Sequence, residues 1–320
     1  EDNLGAFLHF RGFHLSRGHG RRAENYRVIG RVAVWTGGLV SRQASKSGGK
    51  TATSRRPITA APEARQRKAM NVVVLGSATP YPGVGNPCSG YLVRGGGVRV
   101  WVDAGTGTLG ALLGHVGLGE LDAVWVSHLH ADHCADLLTA YYGLLYADVR
   151  RDEPLPLYGP VGIADRLAGF LTNGAVRSPV ESAFAVTELR DGLVAEVGGL
   201  TLTSGAVSHG MEAFALRVEG EGRSLVYSGD SAPCAALTGF AQGCDVLLCE
   251  ADSDVPPPEG EVAVHHTPEE AGETAHAAGA GRLVVTHVGR AIAPDAAVER
   301  AARRFGGPVE YAAPGLVFEV

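Results

Sequence analysis

A short apolar run, Val124-Trp125-Val126, passes through Ser127 into His128-Leu129-His130-Ala131-Asp132-His133, which sets three imidazoles and a carboxylate side by side. The β-branched and aromatic residues, bounded by polar groups, read as a buried strand that delivers the chain to the edge of a sheet. The segment after that strand is expected to be a loop at the edge. There His128 and His130, two residues apart, can point one way while Asp132 and His133 point to a neighbouring position, giving two half-sites. Imidazole mixed with carboxylate suits Zn, Mn or Fe better than Mg or Ca. A chain with this segment must therefore fold so that a rigid sheet ends at a metal-binding rim.

This pattern resembles the signature of the metallo-β-lactamase fold superfamily, in its phosphodiesterase and RNase Z branch. The resemblance implies further ligands, each after a strand, and the sequence supplies them in order. His209 ends Thr201-Leu202-Thr203-Ser204-Gly205-Ala206-Val207-Ser208-His209, Asp230 ends Leu225-Val226-Tyr227-Ser228-Gly229-Asp230, and His287 ends Leu283-Val284-Val285-Thr286-His287. It further implies two divalent cations, zinc first, with Mn or Fe also fitting the donor set. By the same resemblance His128, His130 and His209 hold one, Asp132, His133 and His287 the other, and Asp230 bridges them. Two cations lower the pKa of a shared water toward about 7, which provides a nucleophile without any Ser or Cys. Asp132 then has a catalytic role too, orienting that hydroxide.

The resemblance covers 70–320 and implies an α/β four-layer αββα sandwich, two mixed sheets face to face with helices outside and the site at one end. The chain's own signals agree. Segments 71–75, 89–93 and 98–102 read as early strands between Gly/Pro-rich turns. Segments 106–116, 135–147, 163–171, 267–278 and 294–305 read as helices. That length suits one large domain, which the resemblance implies is a hydrolase.

Segment 1–69 has different chemistry. It carries 14 Lys and Arg against 4 Asp and Glu, whereas 70–320 carries 14 against 30. With no initial Met and with Met70 just before the first convincing strand, 1–69 is expected to be a disordered basic leader or an over-extended reading frame. Arg-rich, acid-poor leaders also occur as targeting peptides, and a basic arm can touch nucleic acid, although this one lacks regularly interleaved aromatics. Five cysteines without a Cys-x-x-Cys pair argue against a disulfide scaffold or zinc ribbon and fit a reducing cytoplasm. Cys134, beside His133, reads as a small buried residue rather than a ligand. No run approaches the roughly 18 apolar residues a membrane span needs, so no membrane partner is expected.

Val264-His265-His266-Thr267-Pro268-Glu269-Glu270 resembles the box of RNase Z-like phosphodiesterases whose first His faces the scissile phosphate. This makes His265 the expected second catalytic residue, a donor to a phosphate oxygen or to the leaving alkoxide, and leaves the role of His266 open. Thr267 is equally an N-cap with Pro268 at the first helical position. Tyr158-Gly159-Pro160-Val161-Gly162 resembles another RNase Z box, and Gly76-Ser77-Ala78-Thr79-Pro80 a loop near the active site. The long tRNA-clasping arm of RNase Z has no counterpart before Asp191, and an acidic domain lacks the basic stripe that tRNA needs.

The whole pattern, including Ser89-Gly90-Tyr91-Leu92-Val93, Leu248-Cys249-Glu250-Ala251 and Val317-Phe318-Glu319-Val320, looks most like actinobacterial cyclic-nucleotide-degrading phosphodiesterases. The expected partner is thus a small phosphodiester, most of all 3′,5′-cyclic AMP opened to 5′-AMP by a metal-bridging hydroxide. A tRNA 3′-end endonuclease, with nucleic acid as partner, is the alternative, followed by another hydrolase of this fold. A non-catalytic binding module would be expected to show broken ligands, and none is broken. A homodimer stays open.

Overall fold

The computed structural model describes residues 69–147, 149 and 151–320. The expected basic leader, 1–69, lies outside the described residues except for Ala69. Strands Asn71–Gly76 (β1), Gly90–Gly95 (β2), Val98–Val102 (β3), Ala123–Trp125 (β4), Leu155–Gly159 (β5) and Phe184–Glu188 (β6) belong to one sheet. Val194–Val197 (β7), Leu200–Ala206 (β8), Phe214–Gly220 (β9), Arg223–Tyr227 (β10), Val246–Ala251 (β11), Arg282–Val288 (β12) and Val309–Tyr311 (β13) form the other. The last strand, Val317–Glu319 (β14), returns to the first sheet. The orders are β14-β1-β2-β3-β4-β5-β6 and β13-β12-β11-β10-β9-β8-β7. Both sheets are mixed: β1 to β3 are antiparallel and β3 to β6 parallel, β7 to β10 antiparallel and β10 to β13 parallel.

Strand alternation explains the layering. In β1, Val72 and Val74 face the second sheet, packing in one cluster with Tyr91, Val100, Val102, Leu216, Val218, Leu248 and Val284. Val73 and Leu75 point the other way, into a cluster with Leu137, Tyr141, Ile163 and Leu167. Those last residues lie on helices Asp136–Tyr146 (α3) and Ile163–Leu171 (α4), which with Thr108–Leu113 (α1) cover the first sheet. On the far side Leu247, Cys249, Leu283 and Val285 pack against Ala271, Ala275, Ala301 and Phe305 of helices Pro268–Ala278 (α6) and Pro294–Phe305 (α7), with Phe240 of Ala235–Phe240 (α5) beside them. Each fully buried Val or Leu contributes about 1.5–3 kcal/mol. Period two on the strands thus yields the four-layer αββα sandwich.

Three local readings change. The helix expected over 106–116 shrinks to α1, because Gly107 enters it at φ 93° and Gly114 ends it. The expected loop after β4 contains one helical turn, Ala131–Cys134 (α2), which carries Asp132 and His133. And β4 is an inner strand, so the chain reaches the end of the sheet and not its lateral edge. No described helix is long and apolar enough to cross a membrane.

Candidate metal centre

The two sheets end together at one rim. The segment after β4 brings His128, His130, Asp132 and His133 there from the first sheet, and the ends of β8, β10 and β12 bring His209, Asp230 and His287 from the second. In one group, donor atoms of His128, His130, His209 and Asp230 all lie within 4.8 Å of one another; Asp132, His133 and His287 form another group by the same measure. Asp230 stands between them, with Oδ2 3.7 Å from His128 Nε2 and 3.3 Å from His287 Nε2, and Oδ1 3.3 Å from His133 Nε2. All seven residues expected at the site are therefore brought together.

His287 reaches this place through a β-bulge. Glu250 pairs with Thr286, the next pair is Ala251 with Val288, and His287 is the extra residue with φ 45°. A bulge re-aims a side chain that regular alternation would send elsewhere. A left-handed backbone is costly for a residue with a Cβ, so the ladder on either side must hold it.

Around the cluster is a set of partners that fixes imidazole orientation. Asp103, fully buried with φ 54°, follows β3 and accepts four hydrogen bonds. They come from Ser127 N (2.7 Å), Ser127 Oγ (2.8 Å), His133 Nδ1 (2.7 Å) and Tyr227 OH (2.7 Å). A carboxylate can only accept, so His133 Nδ1 carries the proton and Nε2 presents its lone pair to the cluster. Ser127 Oγ spends its proton on Asp103 and accepts from His128 Nδ1 at 3.0 Å, which fixes His128 in the same tautomer. His209 Nδ1 donates to the Val264 carbonyl at 2.8 Å, and His287 Nδ1 is tied to Ser89 Oγ at 2.8 Å. Sequence reasoning missed Asp103, Ser127 and Tyr227. An acid straight after a buried strand was the available signal, the same one that marked Asp230. Close backbone packing holds Asp103 in place, since Gly105 lies against the Asp132 carbonyl where a Cβ would clash.

The donor set fits divalent cations. His133 Nε2 and Asp230 Oδ1 are buried polar atoms with no hydrogen-bond partner, and in a native interior such atoms call for an ion or a water. Burial works against charge on His133, yet the Asp230 and Asp103 carboxylates outweigh it and hold its pKa well above the usual imidazole value. The field at Nε2 thus favours positive charge. Burial also opposes ionisation of Asp230, but His133 and His287 override it and keep this carboxyl well below the usual range. Burial leads in lowering His128, His130 and His287 toward the neutral form that a cation requires. Cys134 is outside both groups: its thiol donates to the His130 carbonyl, and burial pushes it up to about 11.

His265 stands at the shoulder of the cluster, Nδ1 3.9 Å from Asp230 Oδ2 and 2.9 Å from Glu250 Oε1. Burial opposes its charge, but the Glu250 hydrogen bond and the charges of Glu250, Asp230 and Asp252 outweigh it, lifting His265 to about 9. Burial raises Glu250 to about 7 while His265 pulls it back. The neighbouring His266 has a purely structural place: Nδ1 donates to the Ser231 carbonyl at 2.6 Å and Nε2 accepts from Thr274 Oγ1 at 3.1 Å. It ties the Asp230 turn to α6, whose start is a capping box in which Thr267 Oγ1 accepts from Glu270 N and Glu270 Oε2 from Thr267 N.

Two docked mixed sheets with His/Asp clusters at their common rim define a scaffold of the metal-dependent hydrolase class. Residues 98–288 match the family described as Beta-lactamase superfamily domain. The chain belongs to that family, with the metallo-β-lactamase fold, in its RNase Z-like branch. It is 35% identical over 263 residues to an uncharacterized protein of Mycobacterium tuberculosis, covering 78% of this chain and 92% of that one. It is 33% identical over 270 residues to Ribonuclease Z of Mycolicibacterium paratuberculosis, covering 75% and 95%. The crystal structure of the metallo-β-lactamase fold protein YhfI from Bacillus subtilis superposes with TM-score 0.68 at 28% identity, covering 78% of this chain and 99% of that one.

Proposed function

We propose that this metal-dependent hydrolase is a phosphodiesterase acting on a small diester, with 3′,5′-cyclic AMP as the leading substrate. The observation that carries it is the placement of His265, braced by buried Glu250, beside an Asp230 that faces both histidine groups. Two divalent cations, zinc first, held by His128, His130 and His209 and by Asp132, His133 and His287 with Asp230 between, would supply an activated water and offset phosphoryl charge. Asp132 orients the attacking water through its carboxylate. The P–O3′ bond breaks as water adds to phosphorus, and His265 Nε2 delivers the proton that the departing 3′-oxygen needs, its Nδ1 being held by Glu250. The net proton of hydrolysis leaves to solvent.

Relatives named Ribonuclease Z support a second reading, tRNA 3′-end cleavage. The chain between β5 and β7 favours the small substrate: it makes α4, one 3-10 turn and β6, and projects no long arm. Cyclic AMP and precursor tRNA offered to one purified sample separate the two. His265→Ala should keep its metals yet lose on the order of 10² to 10⁴ in kcat on cyclic AMP, the scale of a lost general acid. On bis(p-nitrophenyl) phosphate, whose leaving group needs no proton, most activity should survive. Equal losses on both substrates would remove His265 from proton delivery.

A further inference from the structure

We infer that Asp252 reads the 2′-hydroxyl of a ribonucleotide substrate, an assignment that rests on the phosphodiesterase reading of the same site. Asp252 is the residue immediately after β11, and its backbone N–H donates to Glu250 Oε2 at 2.9 Å. The same Glu250 side chain that holds His265 thus also places Asp252. On its other flank lies Gly289, where any side chain would collide with the Asp252 carbonyl and crowd Oδ1. The Asp252 backbone is consequently held between β11 and the turn after β12.

Its Oδ2 lies 3.7 Å from His265 Nε2. That is too long for a hydrogen bond between them, and no described residue donates to the Asp252 carboxylate or bonds to His265 Nε2. Both side chains keep an opening to solvent, 26% and 19% exposed, whereas Glu250 behind them has none. With Nδ1 tied to Glu250, His265 turns Nε2 outward. The rim therefore offers an imidazole nitrogen and a carboxylate oxygen next to each other, neither of them hydrogen-bonded to a described residue.

Hydrogen bonds of about 2.8 Å from such a pair converge on two neighbouring oxygens. A 3′,5′-cyclic ribonucleotide has them: the leaving O3′ and, on the adjacent carbon and the same ring face, the 2′-hydroxyl. O3′ takes the His265 proton while the 2′-hydroxyl donates to Asp252. A 2′-deoxy ring fills the same space and leaves the carboxylate without a donor, the situation in which a site built for a hydroxyl discriminates against its absence. The 2′-hydroxyl is also what distinguishes RNA from DNA at any one position.

The test compares kcat/KM for cyclic AMP and 2′-deoxy-cyclic AMP in the full chain and in Asp252→Ala and Asp252→Asn. Wild type should prefer the ribose form by on the order of 10- to 100-fold, the scale of one hydrogen bond to a charged group. Asp252→Ala should bring the ratio close to one, and Asp252→Asn, which keeps a carbonyl acceptor and the same shape, should retain part of the preference. A wild-type ratio near one overturns the inference. So does a ratio preserved in Asp252→Ala while both rates fall together, because that pattern belongs to a residue acting only through His265. Wild-type protein inert toward both rings would overturn the cyclic-nucleotide reading itself, and this assignment with it.

Discussion

Replacing Asp103 with Asn tests whether orientation of the imidazoles is set from behind the cluster. The change keeps the shape. Oδ1 can go on accepting from Ser127 N, but an amide nitrogen then takes the place of Oδ2, against Ser127 Oγ, His133 Nδ1 and Tyr227 OH. The two hydroxyls can rotate and present lone pairs. The imidazole can accept only by moving its proton to Nε2, and that abolishes the lone pair facing Asp230. Loss of such a partner typically weakens metal binding by about 10- to 100-fold. The loss should fall on the ion assigned to Asp132, His133 and His287, while the ion at His128, His130 and His209 changes less. Charge-assisted hydrogen bonds contribute about 1.5–3 kcal/mol each, and the removed burial of a charge offsets part of that, so a net destabilisation of about 3 kcal/mol is expected. For a domain of this size it lowers Tm by about 10 °C. Competition against a chromophoric chelator resolves the two binding steps, and scanning calorimetry gives Tm. Unchanged affinity at both steps, with the variant folded, would refute the tautomer argument.

Asp230 and His266 carry further expectations. Because Asp230 faces both histidine groups, Asp230→Ala should lower the bound metal from about two ions per chain at both positions together; loss of one ion alone, measured by elemental analysis, would show that it serves a single position. His266 is held near pKa 4, chiefly by burial, against 6.5 for an ordinary imidazole. Its folded pKa is depressed, so between those values the unfolded chain binds a proton that the native one refuses. The stability it contributes is complete above pH 6.5 and lost as pH falls toward 4, by about 2 kcal/mol at pH 5. Urea unfolding at pH 7 and pH 5 should therefore show a steeper loss in wild type than in His266→Asn, and equal losses would contradict the assignment.

The seven rim residues were legible because the run from His128 to His133 resembles a family signature, and His209, Asp230 and His287 follow in the implied order at the ends of runs rich in β-branched and aliphatic residues. Layering was legible as well, since alternation in 71–75 sends one set of valines to each face. What remained hidden depended on contacts between distant segments. Asp103 meets His133 and Tyr227 only after two sheets have docked, and nothing near Val102-Asp103-Ala104 names either partner. The bulge at His287 is equally silent, because Thr286-His287-Val288 reads as uninterrupted strand. The role of His266 was open from sequence, and its burial against Ser231 and Thr274 becomes visible only once α6 is placed. The single turn of α2 escaped because a motif dense in ligands reads as loop.

The division of the cluster between the two sheets governs when it can exist at all. During synthesis His128, His130, Asp132 and His133 leave the ribosome together, but His287 emerges only after roughly 10–30 s at ordinary elongation rates. Until then the early histidines lack the closing imidazole, and the part of the second sheet that buries it has not been made. Metal capture in its final form is therefore postponed to the docking of β12, close to the end of the chain. A polypeptide truncated between Asp230 and that strand would carry His128, His130, His209 and Asp230 but would lack the third member of the group Asp132, His133 and His287, so the second position alone should fail to load.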